Sequence, residues 1–201
     1  GGAIDWHAGA ENGTVSKTEF INNTAHVNGG AIYWNGINGS IIDSNFTNNS
    51  ADVNGGAVYW SGHNGTITHS NFTLNRALGI ALGPMPNGTM TYGGDAGAVM
   101  WTGSIGKITD SRFVNNTAAK RGGAVFLQAG STENCYNTTF KYSSFINNIA
   151  GTNGGAVDWY LGAVNGKVLN SIFTNNTAKR SGGAIHWSGY YGTVSNSTFI
   201  G

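Results

Sequence analysis

The chain has 201 residues, of which 33 are glycine and only 9% are charged, and its formal net charge at pH 7 is +1. So small a charge excludes the basic surface that nucleic acid would need, and the single cysteine, Cys135, excludes an internal disulfide framework. Hydrophobic residues still reach 39% of the chain, and because they recur at fixed places we expect an ordered repeat protein.

Each repeat opens with Gly-Gly-Ala-(Ile/Val), which predicts a tight corner followed by a short strand. Subtracting the positions of the second glycines gives spacings of 28, 26, 41, 26, 32 and 28 residues. The fourth copy has Ala96 in place of the first glycine. The copies are Gly1–Ile4, Gly29–Ile32, Gly55–Val58, Ala96–Val99, Gly122–Val125, Gly154–Val157 and Gly182–Ile185.

Two further motifs follow in the repeat, a Gly-(Thr/Ser/Lys)-(Val/Ile) step and then Phe-x-x-Asn. The steps are Gly13–Val15, Gly39–Ile41, Gly65–Ile67, Gly106–Ile108, Gly166–Val168 and Gly192–Val194. The Phe-x-x-Asn copies are Phe20–Asn23, Phe46–Asn49, Phe72–Asn75, Phe113–Asn116, Phe145–Asn148 and Phe173–Asn176, and Phe199 begins a seventh. Three short strands and three corners per unit predict an all-β fold, a three-faced β-solenoid of about seven rungs, each rung being one turn of the chain. We expect residues 1–201 to form one such domain, a fragment of a longer chain.

All six tryptophans occupy one position, two residues after the Ile/Val of the opening motif, and Leu127 takes this position in the one remaining unit, the fifth of seven. The residue between the Ile/Val and the tryptophan varies from unit to unit and includes Asp and His. We therefore expect this residue to face solvent and the tryptophans to face the core. The alternative is an exposed tryptophan ladder that stacks on sugars. The Phe and Asn of Phe-x-x-Asn should also form internal columns, in which the asparagines bond to one another or to corner backbone.

The paired motifs resemble the repeats of chlamydial polymorphic outer membrane proteins. The Asn-rich sequence around the motifs is similar to that of the adhesin-like surface proteins of methanogenic archaea. Examples are NGGAIYWNG, GTVSNSTF and FTNNTA. This resemblance covers the whole chain. It implies a right-handed parallel β-helix outside the cell, acting in attachment to host cells or other microbes, with no catalytic residue set to carry over.

Two long units predict loop insertions, at about residues 76–96 and 128–139, and insertions in a solenoid commonly carry specificity. The varied position after the Ile/Val gives a stripe on four successive rungs, which we expect to be exposed and to bind a ligand together with Tyr92 of the first insertion. An equally weighted alternative is that the long loop folds over the stripe and buries it. The stripe is Tyr33, Tyr59, Met100 and Phe126.

Two other functions stay open on the sequence: a polysaccharide-active β-helix enzyme, lyase or hydrolase, and a spacer that binds nothing. The acidic residues do not recur on adjacent rungs as a catalytic pair would, so we expect no enzyme. Asp158 and His186 should lie side by side as a surface ion pair, and the Lys120–Arg121 pair should be solvated.

The expected partners are therefore glycans or proteins on the surface of another cell. We expect no nucleic acid, no cofactor, no metal and, since no run of 18 apolar residues occurs, no membrane insertion. The location should be extracellular, with anchoring by parts of the chain outside residues 1–201. Unpaired strands at both ends predict end-to-end self-association.

Overall fold

Strands of two or three residues build the structure, and many of the corners between them contain one residue in the left-handed backbone region. These corner residues are most often asparagines, such as Asn22 and Asn48 with φ of 57° and 55°, because asparagine enters this region at less cost than other side chains. The computed structural model describes residues 1–80, 93–129 and 135–201. Within them all strand pairings are parallel, which confirms the predicted parallel β-helix.

Three sheets of seven strands run along the described part of the chain. The first sheet follows the Gly-Gly-Ala corner and contains Ile4–Trp6, Ile32–Trp34, Val58–Trp60, Val99–Trp101, Val125–Leu127, Val157–Trp159 and Ile185–Trp187. The second sheet contains Thr14–Ser16, Ser40–Ile42, Thr66–Thr68, Lys107–Thr109, Thr139–Lys141, Lys167–Leu169 and Thr193–Ser195. The third sheet contains Glu19–Ile21, Asn45–Thr47, Asn71–Thr73, Arg112–Val114, Ser144–Ile146, Ile172–Thr174 and Thr198–Ile200.

A fourth sheet, which the motifs do not predict, follows the asparagine of Phe-x-x-Asn. Its strands have two residues each: Thr24–Ala25, Ser50–Ala51, Arg76–Ala77, Thr117–Ala118, Ile149–Ala150 and Thr177–Ala178. A separate pair is formed by Cys135–Tyr136 and Ala163–Val164. Described residues also form no helix long and apolar enough to cross a membrane.

The tryptophans form an internal column, as predicted, and the alternative of an exposed tryptophan ladder is wrong. Trp34, Trp60 and Trp101 are fully buried. Their neighbouring rings are parallel, with centroids 4.5 Å and 4.9 Å apart. This follows from register, because Trp60 pairs directly with Trp34 and with Trp101 across the first sheet.

The single interruption of this column is compensated from another sheet. Leu127 takes the tryptophan position of the fifth rung. On the same rung the second sheet contributes Phe140 where its neighbours contribute Ile108 and Val168. The Phe140 ring packs at 4.6 Å from the Trp159 ring, so a smaller side chain in one sheet is matched by a larger one in the next.

Phenylalanine and asparagine form two further internal columns, as predicted. The ring centroids of Phe46 and Phe72 are 4.6 Å apart. Asn75 Nδ2 donates to the Oδ1 of Asn116 and to the carbonyl of Phe46, both at 3.0 Å. Asn75 Oδ1 accepts from the backbone N–H and the Nδ2 of Asn49. Each internal amide is thereby satisfied without water.

Candidate functional site

The predicted ligand-binding stripe lies in register on the outer side of the first sheet, but it is not uniformly exposed. Tyr33 pairs with Tyr59, Tyr59 with Met100, and Met100 with Phe126. Tyr33 and Tyr59 are half-buried, whereas Met100 is 4% exposed and Phe126 is fully buried. The expectation of an exposed stripe is therefore wrong for Met100 and Phe126. Tyr92 lies outside the described residues.

A guanidinium group covers Phe126. The Cζ of Arg121 lies 4.5 Å from the Phe126 ring centroid and 4.3 Å from that of Tyr160. Its Nε and Nη2 donate to the two carboxylate oxygens of Asp95, each at 3.0 Å. Arg121 is thus held in a bidentate ion pair and stacked on aromatic rings. The expectation of a solvated charge at this position is wrong, because the corner places Arg121 beside the neighbouring rung's Asp95.

Asp158 and His186 lie further along the same outer column, directly opposite each other. Asp158 Oδ1 is 2.9 Å from His186 Nδ1, but the carboxylate is fully buried, so the pair is not the surface ion pair that was expected. The other oxygen, Oδ2, is buried and makes no hydrogen bond within the described residues. Burial raises the pKa of Asp158, and the hydrogen bond from His186 opposes that effect.

At the opposite end of the column, Tyr33 borders a shallow recess. The rings of Tyr33 and Tyr59 are parallel, with centroids 5.3 Å apart, and His7 is tilted against Tyr33 at 6.1 Å. Asn28 also lines the recess, and its side-chain Oδ1 is buried without a hydrogen-bond partner. The remaining lining residues are Gly1, Asp5 and Val27. The recess therefore combines an aromatic ring with unused hydrogen-bonding capacity.

A second shallow groove lies along the fourth sheet and was missed by the sequence analysis. Its polar lining is internally bonded, since Asn48 Nδ2 donates to Asn22 Oδ1 at 2.8 Å and the hydroxyls of Thr24 and Ser50 are 3.2 Å apart. The recurring sequence Asn-Asn-(Thr/Ser)-Ala could have predicted this groove, because its first and third residues face outward. The groove is lined by Asn22, Thr24, Asn48, Ser50, Arg76 and Leu78.

The two insertions leave the solenoid on the third and the fifth rung. Before the first, the Ile80 amide still donates to Asp52 O, and after it the Gly94 amide donates to Val53 O. Arg76 and Ala77, which were assigned to the insertion, belong to the fourth sheet. The second insertion returns at Cys135, whose Sγ donates to Gly103 O at 3.0 Å. Burial raises the pKa of this thiol to about 11.

In the parts of the chain that the structure describes, no three His, Cys, Asp or Glu side chains lie close enough together to hold a metal ion. The polar clusters on the first sheet instead pair oxygen acceptors with Arg or His donors. Such clusters can hold a hydroxyl-bearing ligand or orient an imidazole.

Four segments of the chain match the family model of the Chlamydia polymorphic membrane protein repeat: residues 17–33, 43–59, 110–128 and 170–186. Each segment runs from a Phe-x-x-Asn motif to the next Gly-Gly-Ala motif, so the match follows the repeat of the structure. It suggests a repeat domain like that of a cell-surface outer-membrane protein. No curated protein matches the chain. The resemblance to archaeal adhesin-like proteins stays a prediction.

Proposed function

We propose that the chain is an adhesive repeat domain of a cell-surface protein, and that it attaches to glycans on another cell. The observation that carries this proposal is the recess beside Tyr33, where a half-buried aromatic ring and the unpartnered Oδ1 of Asn28 line the same depression. Sugar rings present an apolar face to aromatic rings and hydroxyl donors to buried acceptors, so this combination suits a glycan.

The Tyr33–Tyr59 pair makes the binding surface rigid. Parallel rings 5.3 Å apart on strands fixed in register lose little freedom when a ligand binds. Asp5 and His7 line the recess next to Tyr33 and are 3.2 Å apart through His7 Nε2. They supply further polar contacts for hydroxyl groups at the rim.

The test is binding of the purified 201-residue chain to a glycan array and to whole microbial and host cells. Tyr33→Ala and Asn28→Ala should each weaken glycan binding at least tenfold without changing the circular dichroism spectrum. The matched control is Tyr190→Ala, because Tyr190 is 61% exposed and lies away from the recess. Wild-type chain that binds no glycan and no cell would refute the proposal and favour the spacer function.

A further inference from the structure

Three polar side chains meet at one end of the outer column of the first sheet. Asp158 belongs to the strand Val157–Trp159, and His186 lies opposite it on the next rung. Ser188 follows His186 by two residues, so both side chains emerge on the same side of the chain. Tyr160 occupies the position of Ser188 on the previous rung, and its ring centroid lies 5.9 Å from that of Phe126.

The three side chains lie in the order Asp158, His186 and Ser188, with His186 in contact with both of the others. Asp158 Oδ1 is 2.9 Å from His186 Nδ1, and His186 Nε2 is 3.5 Å from Ser188 Oγ. In the tautomer that donates from Nδ1 to the carboxylate of Asp158, Nε2 is the nitrogen that faces the hydroxyl of Ser188. A hydroxyl, an imidazole and a buried carboxylate in this order form the arrangement that activates a serine in hydrolases of unrelated folds.

We infer that Ser188, His186 and Asp158 form a nucleophilic centre that hydrolyses esters of small acyl groups. Ser188 is the nucleophile and His186 the general base, and Asp158 is a positioning residue. The Ser188–His186 contact is longer than a strong hydrogen bond, as is common in centres without substrate, where such contacts tighten on binding.

The surroundings of Asp158 favour this role. Its carboxylate is fully buried, and its only hydrogen-bond donor in the described part of the chain is His186. The other charged or titratable groups that influence it are Arg121 and Asp95, which are bonded to each other. The orientation of the imidazole is therefore set by a single carboxylate oxygen.

Ser188 is half-buried, so an ester must reach its hydroxyl from the surface. A small acyl group such as acetyl is the substrate that this access suits best. The amide of Gly189 donates to no described backbone acceptor, and the N–H after a nucleophilic serine is the usual donor to the oxyanion.

The reaction balances with water as the only co-reactant. Ser188 Oγ attacks the ester carbonyl carbon while its proton passes to His186 Nε2, and the carbon–alkoxy bond breaks as the alcohol leaves with that proton. Water then attacks the acyl-serine and gives a proton to Nε2. The carboxylic acid departs, and Ser188 Oγ regains its proton.

Labelling of the 201-residue chain with a fluorophosphonate probe tests the inference, followed by intact mass and by hydrolysis of p-nitrophenyl acetate. Wild-type chain should gain one phosphonyl group, and Ser188→Ala should abolish it. Ser61→Ala is the matched control, because Ser61 occupies the same repeat position beside Tyr59 and should leave labelling unchanged. Asp158→Asn should slow labelling at least tenfold with no loss of melting temperature.

Two outcomes would overturn the inference: wild-type chain that stays unlabelled, or Ser188→Ala that is labelled as fast as wild type. A fall in the melting temperature of Asp158→Asn that matches its loss of labelling would assign Asp158 a structural role instead. The readouts are independent of glycan binding at Tyr33, so failure here leaves the proposed attachment function untouched.

Discussion

The indole of Trp60 lies against Gly65 so closely that a β-carbon at that glycine would be 2.5 Å from two ring atoms. Gly65 has no positive φ, so its role is to make space and not to turn the chain. The same contact recurs between Trp34 and Gly39, at 2.4 Å from the nearest ring atom. The glycine of the Gly-(Thr/Ser/Lys)-(Val/Ile) step is therefore required by the tryptophan column.

Gly65→Ala should destabilise the chain by about 1–3 kcal/mol, the usual cost of overpacking a rigid core. The free energy of unfolding in urea measures the change. Gly183→Ala is the control, because a β-carbon there would meet only the carbonyl oxygen of Asn176, at 3.2 Å. Equal stability of the two variants would contradict the packing argument.

Asn75→Ala should lower the free energy of unfolding by at least about 2 kcal/mol. The substitution leaves the buried amide of Asn49 and the carbonyl of Phe46 without their hydrogen-bond partner. The control is Asn71→Ala on the same rung. Asn71 is exposed and donates to Asn45 at 3.0 Å in contact with solvent, so its loss should stay within about 0.5 kcal/mol. Similar costs for both would mean that burial of the asparagine column adds no stability.

The stability of the chain should depend on the protonation of Asp158. Burial raises the pKa of Asp158 above the ordinary 3.8. At pH values between these two pKa values, the folded chain keeps a proton that the unfolded chain has released. The free energy of unfolding should therefore fall as the pH rises above 3.8 and through the folded-state pKa. Urea titrations at a series of pH values measure this slope.

In Asp158→Asn, the fall of the unfolding free energy with rising pH that is due to Asp158 should vanish. The control variant is Asp110→Asn. Asp110 is exposed, and asparagine tolerates its left-handed backbone, so this variant makes the same chemical change while it leaves Asp158 and its contribution to the slope in place. A slope that is unchanged in Asp158→Asn would show that the buried carboxylate does not titrate in this way.

Cys135 should not react with Ellman's reagent in the folded chain at about pH 8, because a thiol with a pKa near 11 that is 1% exposed offers almost no thiolate. Unfolding in urea should release one reactive thiol per chain. Stoichiometric reaction within minutes in the absence of denaturant would contradict the buried position beside Gly103.

The sequence alone determined the columns of the solenoid. Trp60, Phe72 and Asn75 repeat with the Gly-Gly-Ala motif, and parallel stacking in register places repeated residues directly above one another. Any residue type that recurs once per unit must then form a column, and the apolar character of Trp60 and Phe72 decides that their columns lie inside. Amide character alone does not decide this, since Asn75 is buried and Asn48 is exposed. The arrangement of the core could be predicted for this reason.

Only the tertiary structure decided the outer face of the first sheet. Phe126 and Asp158 occupy the position that alternation assigns to solvent, yet both are fully buried. Arg121 from a corner and Tyr160 from the next rung cover Phe126, while the side chain of His186 reaches back to Asp158. Alternation along a strand fixes the direction of a side chain, but its burial depends on long neighbours from other corners and rungs, which no motif within one unit encodes.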